Sequence, residues 1–111
     1  MTRRVVITGM GGVTAFGEDW QSVSRRLLAY DNAVRKMPEW QGYDCVPTPL
    51  GGPVDDFNPP EHYTRKRIRA MGRVSLMSTR ATELALEQAG LIGEAVLTNG
   101  QTGIAYGSST G

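Results

Sequence analysis

The sequence predicts an α/β fold built on a parallel sheet, and three observations carry that prediction. The apolar run Val5-Val6-Ile7 passes straight into a turn holding Gly9, Gly11 and Gly12. A second run, Gly103 to Tyr106, enters another small-residue turn, Gly107-Ser108-Ser109-Thr110-Gly111. Between them, two stretches repeat their apolar residues at helical spacing. Strands joined by helical crossovers are the connection that parallel pairing requires.

Each element has its own warrant. Val5 to Thr8 is the first strand, unbroken in its apolar character as strands buried on both faces are. Glu18 and Asp19 open the first helix, acidic where the positive end of the helix dipole favours them. Trp20, Val23, Leu27 and Tyr30 recur on one face of it, which should lie on a core. All six prolines fall between Met37 and Pro60, among Gly42, Gly51 and Gly52, and exclude helix there. That stretch should be loop with short extended pieces, one of them over Gly52 to Phe57. Residues 61–90 return to helix. Val74, Met77, Ala81, Leu84 and Gln88 form one stripe, nearly all apolar, with Arg73, Arg80, Glu83 and Glu87 largely on the other side. Gly90 stands where a left-handed residue ends such a helix, with Leu91 folding back on it. Gly103 to Tyr106 is the second strand.

A chain of 111 residues with 40% hydrophobic residues can bury the core of one small domain. A net charge of +1 excludes a surface that acts as an electrostatic binder throughout, so any basic site is local. The single cysteine, Cys45, permits no internal disulfide and fits a reducing cytoplasm. No signal-peptide core occurs, nor the roughly 20 apolar residues of a membrane span, so a soluble cytoplasmic protein is expected. Two strands do not complete a parallel sheet, whose members need neighbours and cover on both faces. The chain is therefore expected to be the front part of a longer protein, incomplete as a domain.

A strand ending in glycines ahead of a helix is how dinucleotide-binding loops begin, so the spacing has to be tested. G-x-G-x-x-G starting at Gly9 needs glycine at Thr14, and T-G-x-x-x-G-x-G needs it at Val13. The acidic residue expected about 20 residues on, Asp31, follows a helix rather than a strand. No G-K-[ST] occurs. The pattern fails, and the glycines read instead as sites of positive φ and of close packing between strand and helix.

Taken whole, the pattern resembles a known family. VVITGMGGVTAFG is similar to the opening of the elongating β-ketoacyl-acyl-carrier-protein synthases, T-G-x-G-x-V-[ST]-x-x-G after a first strand. GGPVDDFNP followed by YTRKRIRAMGRVSLMSTRATELALEQAGL, and then TGIAYGSSTG, agree in order and spacing. The resemblance implies the thiolase fold, an α/β architecture of two similar halves, each a mixed sheet with packed helices. Residues 1–111 would be the front of the first half. It also implies a decarboxylating condensation of an acyl thioester with malonyl-carrier protein, in fatty-acid or related synthesis. No cofactor is implied. The family acts as a homodimer or as a heterodimer with a related subunit, on phosphopantetheine-linked groups of an acyl carrier protein.

The family's nucleophilic cysteine and two histidines lie beyond Gly111, so no catalytic residue is expected in this chain. Cys45 lies between Asp44 and Val46-Pro47, where no helix amino terminus can lower its pKa, and reads as an inert thiol. His62 reads as a surface residue in the first turn of a helix, without partners at metal-ligand spacing.

Five of the twelve basic residues fall between positions 65 and 73. On a helix at about 100° per residue, Arg65, Lys66, Arg69 and Arg73 share one arc, with Ile68 and Met71 opposite and Arg67 near the apolar side. Such a run is ordinarily a solvated face. The resemblance gives Arg65, Lys66 and Arg69 another role, since family members carry Arg and Lys there to meet the acidic helix of the carrier protein. Nucleic acid is the weaker reading, because no aromatic residue is interleaved with the arc. Gly72, Val74 and Ala15 depart from the family's usual Asp, Phe and Pro. Thr110 falls at the position that gates the acyl pocket, where a large residue blocks long chains and glycine admits them. A second function class shares the fold: the chain-length factor, a partner subunit that lacks the nucleophile.

Overall fold

The computed structural model describes residues 2–109, and the chain divides into two units: Thr14–Phe57, and Met1–Val13 together with Asn58–Gly111. Thr14–Phe57 opens with a tight turn in which the backbones of Thr14 and Gly17 exchange hydrogen bonds of 3.1 and 3.0 Å, Gly17 having φ +112°. Helix α1 (Trp20–Leu28) follows, capped by Asp19, whose carboxylate accepts the Ser22 N–H at 2.7 Å. That bond satisfies an orphan donor of the first turn and lowers the Asp19 pKa. At the far end Tyr30 takes a left-handed φ of +58°, and the N–H groups of Tyr30 and Asp31 return to Leu27 and Arg26. Tyr30 has thus already left the helix. Trp20 is 69% exposed and Tyr30 95%, so the stripe expected on a core faces solvent apart from half-buried Val23.

Strands β1 (Arg35–Lys36) and β2 (Leu50–Gly51) pair antiparallel, Arg35 opposite Gly51 and Lys36 opposite Leu50. Between them Pro38–Trp40 forms a 3₁₀ turn, and the Trp40 ring closes over Gly51. Met37 and Phe57 are buried and form the small core of this unit. The extended piece expected over Gly52 to Phe57 lies earlier in the chain, because Pro53 has no N–H for a ladder and Asp55–Asp56 turn.

In the other unit, the helix expected over residues 61–90 is two helices. Residues 61–63 form a turn, then come α2 (Arg65–Ile68) and α3 (Arg73–Gln88). Gly72 sits between them at φ −73°, ψ 171°, extended backbone that breaks the helical path and caps α3. The end of α3 is as expected. Gly90 has φ +68°, and the N–H groups of Gly90 and Leu91 donate to Glu87 and Leu86 at 3.0 and 2.9 Å.

The loop Gly9–Gly11 lies against the small-residue face of α3. A Cβ on Gly9 would strike the Ala85 carbonyl and stand 2.9 Å from the Ala89 nitrogen. One on Gly11 would strike the Ala81 carbonyl and stand 2.6 Å from the Ala85 nitrogen. The Met10 N–H donates to Gln88 Oε1 at 2.7 Å, which gives the polar end of the stripe its purpose. Gly9 and Gly11 therefore serve close packing, and the positive φ of this stretch belongs to Gly17.

The two expected buried strands are corrected. Val5 is 94% exposed, Ile7 83% and Ile104 85%, and neither Val5–Thr8 nor Gly103–Tyr106 belongs to a strand. A strand exists by pairing, and among the described residues neither segment has a partner backbone. The sheet among the described residues is the two-strand ladder β1–β2.

Candidate functional site

The basic arc rests on a short support. Helix α2 is a single turn, entered through Thr64 at φ −60°, ψ 142° without a side-chain cap. Arg69 continues it as C-cap, its N–H donating to Arg65 at 3.0 Å, and Met71 closes the turn onto Ile68 at 2.9 Å. Arg65, Lys66 and Arg69 are brought together on this turn and all three are exposed. Among the described residues no carboxylate pairs with them, so their charge faces solvent. Arg73 does not join the arc: Gly72 separates it onto α3. Arg67 turns to the apolar side, as its helical angle requires, and lines a groove with Ile68, Met71, Val74 and Leu86. The groove, about 660 Å³, is also lined by Ile92, Ile104 and Tyr106.

Three side chains meet on Glu83, and His62, Tyr63 and Glu83 itself line this groove. Glu83 accepts from Arg80 Nη1 at 2.6 Å and from the Tyr63 hydroxyl at 3.0 Å through Oε2, and joins His62 Nε2 at 2.5 Å through Oε1. His62 and Tyr63 stand edge to face, centroids 4.9 Å apart, which lets neighbouring residues reach separate oxygens of one carboxylate. The side chains of Arg80 and Glu83 are 18% and 19% exposed, against 60% for His62. Burial alone would raise the Glu83 pKa, but the hydrogen bonds from Arg80, His62 and Tyr63 outweigh it and hold the carboxyl below its ordinary value.

This cluster refines one expectation and corrects another. Arg80 and Glu83, expected largely on the side of α3 away from the apolar stripe, are half-buried and bonded to each other. His62 is a surface residue, as expected, but it lies in a turn ahead of α2 and is bonded to Glu83. The spacing of Arg80 and Glu83, three apart on one helix, was the available signal. Their partners, about twenty residues earlier in the chain, gave none. Cys45 lies exposed in a turn of the Thr14–Phe57 unit. Among the described residues no group of His, Cys, Asp and Glu could hold a metal ion, and no helix is long and apolar enough to cross a membrane. Thr110 lies outside the described residues.

Residues 2–111 match the family described as beta-ketoacyl synthase, N-terminal domain. The chain is 32% identical to 3-oxoacyl-[acyl-carrier-protein] synthase 1 of Haemophilus influenzae over 98% of its own length and 26% of that protein's. It is 34% identical to nodulation protein E of Rhizobium sp. over 82% of its length and 22% of that protein's. Among solved structures, a beta-ketoacyl synthase from Burkholderia phymatum superimposes with a TM-score of 0.89 at 48% identity, covering 97% of this chain and 26% of that one. The chain thus spans about a quarter of the length of the relatives it matches.

Proposed function

The chain belongs to the beta-ketoacyl synthase family through that family's N-terminal domain, and on that premise we propose that it is the N-terminal portion of a 3-oxoacyl-acyl-carrier-protein synthase. The reaction is decarboxylative condensation: malonyl-carrier protein loses carbon dioxide, and the carbanion so released attacks the carbonyl of an acyl thioester held on the enzyme, forming a carbon–carbon bond as the acyl C–S bond breaks and the enzyme's thiolate leaves. The nucleophile and histidines that carry it out belong to the rest of the synthase. Cys45, exposed beside Pro47 with no helix end to activate it, has no part in it. The Haemophilus relative is named for an acyl carrier protein, and this chain's part in the reaction is to receive such a partner. By its resemblance to the family motif, Thr110 is the residue proposed to gate the acyl pocket. Dimerisation with a like or related subunit and a cytoplasmic location follow from the same reading.

The observation that carries the docking role is the exposed trio Arg65, Lys66 and Arg69, unpaired among the described residues on one turn. A basic arc facing an acidic helix acts mainly on encounter rate and orientation. Lys66→Glu in the full-length synthase should therefore raise KM for the carrier-bound substrate more than it lowers kcat. The fold should hold, since exposed substitutions usually cost no more than about 0.5 kcal/mol. The defect should shrink with salt, as the Debye length falls from about 10 Å at 0.1 M to about 3 Å at 1 M. A pantetheine thioester, which has no acidic helix, should be used equally by variant and parent. Equal loss of both substrates would make the arc structural and end the docking reading.

A further inference from the structure

We propose that Glu83 is a positioning residue for the basic arc: through His62 and Tyr63 it tethers the turn that leads into α2 to the side of α3. The proposal rests on the docking reading above and adds what sets the arc's geometry.

A one-turn helix does not hold itself. Nucleation fixes several residues for one hydrogen bond, and α2 has four helical residues and no side-chain cap at Thr64. Its place must come from contacts outside it. On the exit side these are apolar: Ile68 and Met71 line the groove with Val74 and Leu86. On the entry side the chain passes Pro59, Pro60 and Glu61, then places His62 and Tyr63 on one carboxylate of α3. Arg80, one turn earlier on α3, holds that carboxylate by donating to Oε2, the oxygen Tyr63 also uses, at 2.6 Å. Bonds to an ionised acceptor are about twice as strong as neutral ones, and this acceptor is mostly shielded from water. Thr64 and Arg65 follow Tyr63 directly, so a displacement of Tyr63 is passed to Arg65 and Lys66 within one turn. Glu83 thus governs the arc without touching any of its three residues.

The test uses the full-length synthase with Glu83→Gln, and with Tyr63→Phe as the milder variant that decides if Glu83→Gln fails to fold. Hydrogen exchange over residues 61–69 should speed by about tenfold, the size expected for losing a bond to a charged group, while residues 76–88 exchange as before. KM for the carrier-bound substrate should rise about three- to tenfold with kcat and pantetheine-thioester use unchanged. In a Lys66→Glu background, Glu83→Gln should add little to that KM, since both act through the arc. Unchanged exchange over 61–69 overturns the tether, and so does equal loss of the carrier and pantetheine substrates. If Lys66→Glu alone leaves the carrier KM unmoved, the docking reading fails, and the exchange data still decide whether Glu83 holds the turn.

Discussion

Gly9 and Gly11 take their meaning from residues seventy positions away. Their neighbours in sequence suggested a phosphate loop, and the spacing ruled that out; what replaced it could not be read locally, because the surface they meet is Ala81, Ala85 and Ala89 of α3. Gly12, beside them, has nothing within 4 Å of where a Cβ would stand. The pair gives a direct test in the full-length protein. Gly11→Ala drives a methyl into backbone that cannot yield, and should cost about 1–3 kcal/mol in chemical denaturation, as overpacking does. Gly12→Ala should be close to neutral. Equal losses at both positions would show that the loop's conformation, and not its packing on α3, is what requires glycine. Glu83 teaches the same lesson with polar atoms. Its residue type and its spacing from Arg80 are legible in the sequence, yet its place in the fold depends on a turn that brings His62 back to it.

At the scale of the element, what the sequence disclosed was whatever the chain decides locally. Asp19 caps α1 and Gly90 ends α3 because caps and left-handed residues act within four or five positions. What escaped was the break at Gly72, where apolar spacing continued across a residue that has left the helix. The two glycines predict opposite responses. Gly90→Ala forces an L side chain into the left-handed region and should destabilise by about 1–2 kcal/mol, although there is open space around it. Gly72→Ala places a side chain on extended backbone, also in open space, and should be tolerated to within about 0.5 kcal/mol. Thermal denaturation of the two variants side by side measures the difference. If Gly72→Ala were the more damaging, the hinge between α2 and α3 would need a glycine for a reason other than its dihedral angles.

At the scale of the molecule, the strongest expectation from sequence, two buried strands, meets a structure that exposes both. Val5, Val6 and Ile7 carry the composition of a segment covered on two faces, and α3 covers one face of the loop that follows them. Periodicity reports what a segment is fitted to become in its complete surroundings, and the relatives have about four times the length of chain from which to supply those surroundings. Extended apolar segments with unpaired backbone groups are templates for pairing with another chain. The 111 residues expressed alone should therefore self-associate, with light scattering after gel filtration giving a concentration-dependent mass above 12.1 kDa. Placing a charge on each segment, Val5→Lys with Ile104→Lys, should shift the population toward monomer, as inward charges do on natural sheet edges. The same pair of substitutions in the full-length synthase should act in the opposite direction and destabilise it, because there each lysine would stand in a covered sheet without a partner. A sharp cooperative transition from a monomeric chain would instead mean that these residues close their own core, and the exposed segments would then need a different explanation.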